Sequence, residues 1–472
     1  MESYRFEYEK MARSGNTDLT QGNITKQLIL FMLPFLFSNI LQAVYNITDV
    51  FIISRFLDAG AVAAAHSGGQ IMSVCINIAS GLSVGGTIVI GRFTGAKDKD
   101  GVRKTVPSFF LIAGILGMLT TLVVVLFSSD FLRAINTQEE IFAQADSFLK
   151  IYGLGVFFIF GNNAIFALFR GSGNSKATLV FVMISTVTNL VLDYVFVAIF
   201  DWGIDGAAWA TTIAIVLCFC ASVFYFIRKR SSFYLSGKGL RPDFALCKRI
   251  LILGVPSAVQ LSIFSFSVLF MTSFINVYGV SATAATAVGS KIDSLALLPF
   301  QAMLSASSAM ISQNIGAKNE TRVRKTFFST LGVTFGIAIF TFTLTQLFPD
   351  FFMKIFTDDP EVLEIGIKYL RIVAFNHLFV SVLQSANGLA TGSGNTILPL
   401  FMTIMNGFVF RVPIGLFFEN TMGMGLYGVY MGFGFANVGG AIFGLIYYKS
   451  GHWKKALRNS FHTLSKKPAA TE

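Results

Sequence analysis

The sequence predicts an all-α integral membrane protein: twelve transmembrane helices in two six-helix bundles, arranged as parallel repeats about a pseudo-twofold axis. Three observations predict it. Hydrophobic residues make up 54% of the 472 and charged residues only 13%, with a mean hydropathy of +0.66; an average soluble chain is about 25% charged. The apolar residues lie in runs of about 20 or more, long enough to cross a bilayer. Finally, the chain repeats itself. Gly95-Ala-Lys-Asp-Lys-Asp-Gly-Val-Arg-Lys-Thr105 returns as Gly316-Ala-Lys-Asn-Glu-Thr-Arg-Val-Arg-Lys-Thr326, and Arg170-Gly-Ser-Gly-Asn174 as Thr391-Gly-Ser-Gly-Asn395, each 221 residues on (95 to 316, 170 to 391). Pro34 and Pro256 open similar apolar runs 222 apart. A repeat that long is a domain duplication, not a solenoid.

Taken in order, the spans are expected near 28–53, 61–90, 106–128, 148–169, 177–200, 204–227, 250–277, 282–312, 327–348, 368–390, 398–418 and 424–448. Proline and glycine inside them are compatible with helix, because neighbouring helices satisfy the freed backbone groups. Residues 1–26 are polar and show no short apolar core with a cleavage site, so no signal peptide is read there. The expected divisions are an N-terminal segment 1–27, a first lobe 28–227, a linker 228–249, a second lobe 250–448 and a tail 449–472.

The loops set the orientation. Lys97, Lys99, Arg103 and Lys104 follow the second span, Arg170 and Lys176 the fourth, and Lys318, Arg322, Arg324 and Lys325 the eighth. The linker carries Arg228, Lys229, Arg230, Lys238, Arg241, Lys248 and Arg249, and the tail Lys454, Lys455, Arg458, Lys466 and Lys467. All of these fall on one side of a twelve-span chain. By the positive-inside rule that side is cytoplasmic, with both termini. Six spans per half also make the halves parallel repeats rather than inverted ones. The net charge of +11 therefore belongs to membrane-flanking loops, and no nucleic-acid partner is expected. The basic repeat reads as a topology anchor and helix start, and Gly-Ser-Gly-Asn as a tight turn, since it lacks the GxxxxGK[ST] phosphate loop. Gly81/Gly85 and Gly440/Gly444 fit GxxxG and speak for close helix packing. Cys75, Cys218, Cys220 and Cys247 have neither metal nor disulfide spacing. No nucleophile or metal cluster is legible, so neither an enzyme nor a cofactor is expected.

Function is sought among ionisable residues inside the spans, where a charge is costly. Asp49 lies near the outer end of the first span. Asn189 and Asp193 are four apart in the fifth, on one helical face; Thr211 is in the sixth and Asn163 in the fourth. Together they offer oxygens from four helices. Such a set can bind a hard cation, with Na⁺ at Asp49, Asn189 and Asp193, or carry a proton. The duplication supplies a control. Asp49 corresponds to about Met271, and Asp193 to Ile414 or Gly415, so the architecture accepts non-ionisable residues there. The second half offers Lys291 and Asp293 in the eighth span, Arg411 in the eleventh and Gln260 in the seventh as candidate substrate or gating residues. Lys291 and Asp293, two apart, point to different faces.

These features in this order resemble the multidrug and toxic compound extrusion (MATE) family. They are Pro34, Thr48-Asp49, Gly95-Ala-Lys97, Gly171-Ser-Gly-Asn174, Asn189-xxx-Asp193, Gly203-xx-Gly206-Ala-Ala-Trp-Ala210-Thr211, Pro256, Gly316-Ala-Lys318 and Gly392-Ser-Gly-Asn395. The resemblance runs from about Leu19 to Lys449. It implies a secondary antiporter in a bacterial plasma membrane, a monomer, that exports amphipathic or cationic drugs in exchange for H⁺ or Na⁺. The family's first-half ion site maps onto Asp49, Asn189, Asp193 and Thr211, with Asn163 nearby. Some members have acidic residues in the seventh and tenth spans; this chain has Gln260 and Asn376 or Gln384 there instead, so coupling is expected in the first half. The competing expectation is a flippase of a related duplicated fold for lipid-linked oligosaccharides. It would line its cleft with several cations, and Lys291 and Arg411 are the main ones on offer.

Overall fold

A computed structural model describes residues 17–235 and 241–458. The expectations for residues 1–16, for Lys238, and for the tail beyond residue 458 with Lys466 and Lys467 lie outside the described residues.

Among the described residues every long element is a helix. Eleven helices are long and apolar enough to cross a membrane, and the bent pair Glu139–Leu154 and Val156–Gly171, angled by 41°, supplies a twelfth span. The others, in order, are Ile24–Phe56, Ala59–Gly95, Lys99–Leu126, Ser175–Ile199, Gly203–Arg228, Phe244–Asn276, Val280–Gly316, Glu320–Leu347, Pro360–Gly392, Ile397–Thr421 and Leu426–Ser450. Twelve spans in two repeats is the expected architecture. Several helices outrun their expected ranges because hydropathy sees only the apolar stretch, while polar capping residues extend the helix beyond it. Asp58 shows the effect. Its side chain accepts from the Ala61 N–H at 2.7 Å and starts the second span ahead of its apolar run. At 1.5 Å per residue, 33 residues make about 50 Å of helix, well over the ~30 Å hydrocarbon core.

The repeated loops fold alike. The second span ends at Gly95 and the eighth at Gly316; Lys97 (φ 56°) and Lys318 (φ 55°) then take the left-handed conformation. Asp98 and Asn319 follow as N-caps, accepting from Gly101 N and Arg322 N at 2.9 and 3.0 Å, and each starts a 28-residue helix. The basic repeat is thus a helix-to-helix turn. Gly-Ser-Gly-Asn is another: Gly173 (φ 89°) and Gly394 (φ 80°) reverse the chain, and Asn174 and Asn395 accept from Ala177 N and Leu398 N.

The chain divides into two compact units. Among the described residues, the first holds 17–18 and those from Phe37 to Ala258; the second holds Leu19–Leu36 and those from Val259 to Arg458. The first and seventh spans therefore change unit after Leu36 and Ala258, in each case two residues past a helix-interior proline, Pro34 or Pro256. A proline donates no backbone hydrogen bond and weakens the helix one turn back, so each crossover sits at a soft point.

In the first unit the second span packs directly on the start of the seventh. A Cβ built on Gly81 would lie 2.3 Å from Ala258 N, and one on Gly85 2.5 Å from Ile250 O. In the second unit, Gly440 and Gly444 bring the twelfth span against Asn406 and Ala386. Both GxxxG pairs are close-packing positions. The second unit also straps down the segment before the first span. Arg322 donates to the carbonyls of Leu19, Gln21 and Gly22 and to Gln27 Oε1, over 2.6–3.2 Å. Leu19 N donates to Gln313 Oε1 at 3.2 Å. The Leu19 side chain is fully buried with Leu28, Phe31 and Met310.

Candidate ion-coupling site in the first unit

Three spans of the first unit converge on one polar node. Their approach is fixed by an apolar cluster in which Ile52 and Ile53 of the first span pack with Val197 of the fifth and Ala207 of the sixth, beside Leu190. That packing turns Asp49, one turn before Ile53, toward Asn189 and Asp193 on the fifth span and Thr211 on the sixth.

Asp193 is 1% exposed, and Asn189 and Thr211 are buried. Asn189 Nδ2 donates to Thr211 Oγ1 at 3.2 Å. The Thr211 hydroxyl also lies 3.4 Å from the Tyr45 hydroxyl. The Asp49 and Asp193 carboxyls face and interact with one another. Asp193 is the last α-helical residue of its span; Tyr194–Ile199 continue as a π-helix. A π turn inserts a residue into the helical register and is frequent at functional positions.

What distinguishes the node is what it leaves unpaired. Asp49 Oδ1, both Asp193 carboxyl oxygens and Asn189 Oδ1 are buried and find no hydrogen-bond donor. Buried polar atoms are almost always satisfied, and a buried carboxylate without a partner is costlier still. Two ionised carboxylates are both acceptors and cannot bond each other. A proton shared between them, or a small cation among the four oxygens, would supply the missing partner. The donor set is all oxygen, which suits a hard cation such as Na⁺ as well as H⁺.

Four of the five residues expected here, Asp49, Asn189, Asp193 and Thr211, come together. Asn163 does not join them through its amide N–H, which donates to Ile159 O one turn back at 3.0 Å. Two residues of the node were missed. Tyr45 shares the Asp49 face one turn earlier, a spacing visible in the sequence. Tyr152, on the fourth span, lies close enough to Asp49 to interact electrostatically, and nothing in the sequence marks it.

The second unit separates its candidates. Lys291 is exposed and Gln260 half-buried. Asp293 Oδ1 pairs with His377 Nε2 at 2.9 Å. Arg411 is buried, its Nη1 donating to Ser267 Oγ at 3.1 Å. Lys291 and Asp293 indeed face different ways. His377 and Ser267 were not singled out as site residues. Among the described residues no three His, Cys, Asp or Glu side chains form a metal cluster.

Comparison with known proteins matches this frame. The family model MatE matches twice, over residues 34–195 and 256–417. Both ends are shifted by 222 residues, so the two matches carry the duplication in register. The chain is 28% identical over 437 residues to the probable multidrug resistance protein YpnP of Bacillus subtilis, covering 93% of this chain and 97% of that one. It is 27% identical over 449 residues to the probable multidrug resistance protein NorM of Thermotoga maritima, covering 92% and 94%. It is 24% identical over 418 residues to the multidrug export protein MepA of Staphylococcus aureus, covering 86% and 89%. A crystal structure of MATE in complex with MaD3S superposes with a TM-score of 0.88 at 23% identity, over 94% of this chain and all of that one. An outward-facing multidrug resistance MATE transporter gives 0.88 at 22% identity over the same shares. With both halves matched, this chain belongs to the MatE family of multi-pass multidrug efflux transporters.

Proposed function

We propose that the protein is a secondary antiporter that exports amphipathic or cationic compounds in exchange for H⁺ or Na⁺, and that Asp49, Asn189, Asp193 and Thr211 hold the coupling ion. The observation that carries this reading is the set of four buried oxygens without donors, two of them on Asp193. The names of the relatives, multidrug resistance and multidrug export proteins, support the substrate class.

The mechanism needs no covalent step. With the ion bound, one negative charge of the Asp49–Asp193 pair is neutralised and the node loses its attraction for a cationic substrate. Without it, the pair is anionic and favours one. Exchange follows when the two loads stabilise different conformations, since only differential affinity moves an equilibrium. Each charge carried down 100 mV supplies about 2.3 kcal/mol, which is nearly fifty-fold in concentration. Asn163, in the fourth span, belongs to the proposal as a fifth coupling residue near the ion, although its amide N–H is spent on Ile159 O. The positive-inside pattern supports cytoplasmic termini in a bacterial plasma membrane, and a self-contained node supports a working monomer.

The test uses purified protein in proteoliposomes loaded with ethidium. Efflux is followed under a pH gradient alone and then under a sodium gradient alone. Acceleration by either gradient supports antiport and names the ion. Equal leak under both, and under none, refutes it.

A further inference from the structure

The duplication places a counterpart of the ion node in the second unit, and its charge is reversed. At the shift of 222 that relates the two family-model matches, Tyr45, Asn189 and Thr211 become Ser267, Arg411 and Phe433. The counterparts meet on the same pattern. In the first unit Asn189 reaches Thr211 and Tyr45 closes on it. In the second, Arg411 donates to Ser267 and lies 5.3 Å from the Phe433 ring centroid. The carboxylate positions also correspond. Asp49 and Asp193 become Met271 and Gly415, and a Cβ on Gly415 would meet the Met271 methyl at 3.4 Å. One three-helix contact is therefore built twice, once around two carboxylates and once around a guanidinium.

Arg411 is 5% exposed, and its Nε has no hydrogen-bond partner. Among the described residues no carboxylate lies within ion-pair distance of it. The nearest acid named by its electrostatics, Asp293, is already bonded to His377. The rings of Phe264 and Phe433 lie 6.0 and 5.3 Å from the guanidinium, so its charged group has aromatic neighbours but no anionic one. A buried cation with a free N–H and no counter-ion is costly to keep, and a ligand carboxylate supplies both the charge and the acceptor.

We propose that Arg411 forms a second substrate subsite in the second unit, one that takes the anionic group of an aromatic amphipath, a carboxylate above all. The proposal rests on the export reading above. It adds to that reading a residue that would hold the anionic end of a substrate.

A matched dye pair tests it: rhodamine 110, which has a free carboxylate, and its methyl ester, rhodamine 123. Binding of each to the purified full-length protein in nanodiscs is measured by fluorescence anisotropy. Arg411→Gln is expected to weaken the acid about ten- to a hundred-fold, the range of a charge-assisted hydrogen bond, and to leave the ester within about two-fold. Arg411→Lys, which keeps the charge, is expected to retain most of the acid's affinity. Asp293→Asn, which removes the negative charge acting on Arg411 from a distance, is expected to tighten the acid several-fold, so the proposal stays testable if Arg411→Gln fails to fold. Equal weakening of acid and ester, or an acid affinity indifferent to Arg411 and Asp293, overturns the subsite while leaving the export reading in place. Failure of the wild-type protein to bind either dye strikes at the export reading itself, and the subsite falls with it.

Discussion

Replacing Asp193 by Asn is the sharpest perturbation the structure offers. Asn has the same shape, so no cavity opens at a side chain that is 1% exposed. It removes one buried charge and adds an N–H₂ group next to Asp49 Oδ1, a buried oxygen that has no donor in the wild-type protein. Satisfying that oxygen is worth about 1 kcal/mol, and relief of carboxylate repulsion adds to it. The variant should therefore fold, insert and melt at or above the wild-type temperature. Coupling should be lost. At 100 mV one ion supplies about 2.3 kcal/mol, so gradient-driven ethidium accumulation should fall from up to about fifty-fold to none, while substrate binding persists. The assays are ethidium efflux from proteoliposomes under an imposed gradient and a thermal melt of the same preparation. Wild-type gradient-driven efflux by Asp193→Asn would refute the coupling role. A melt lowered by many degrees would refute the claim that these carboxyls are kept at a cost to stability.

Two further predictions concern the scaffold. Gly81→Ala puts a methyl 2.3 Å from the Ala258 backbone nitrogen; since backbone cannot step aside like a side chain, destabilisation of about 1–3 kcal/mol or more is expected, read as a lower melting temperature, and an unchanged melt would contradict the packing. Arg322→Ala removes four hydrogen bonds from the segment before the first span. Because that segment is partly exposed, the cost is expected to be only about 1–2 kcal/mol, with faster amide exchange at Leu19 as its signature; unchanged protection at Leu19 would mean that the strap does not hold the segment.

Much of this molecule is legible in the sequence, for reasons that differ by element. The spans are visible because a lipid-facing helix must be apolar over a fixed length, and the duplication because both turns repeat their capping chemistry. Asp49, Asn189 and Asp193 stand out because a carboxylate or amide inside a hydrocarbon-length run is conspicuous. Tyr152 is not, since aromatic rings are abundant in every span and only folding brings this one to Asp49. The bend at Gly155 and the π turns after Asp193 and Ile404 are invisible for another reason. They are register shifts within helices, and hydropathy carries no register.

Duplication explains why the second unit could diverge in charge. Once the helix approach is fixed by apolar clusters such as that of Ile53 and Val197 in the first unit, or that of Ile275, Val429 and Tyr430 in the second, the polar positions at the node no longer bear the fold. Gly415 where the first unit has Asp193, and Met271 where it has Asp49, show that the carboxylates are dispensable for packing. Neutral side chains would suffice in both copies. A buried charge that the architecture does not require is by default a candidate for contact with something that arrives and leaves. That argument applies to Asp193 in one copy and, with the sign reversed, to Arg411 in the other.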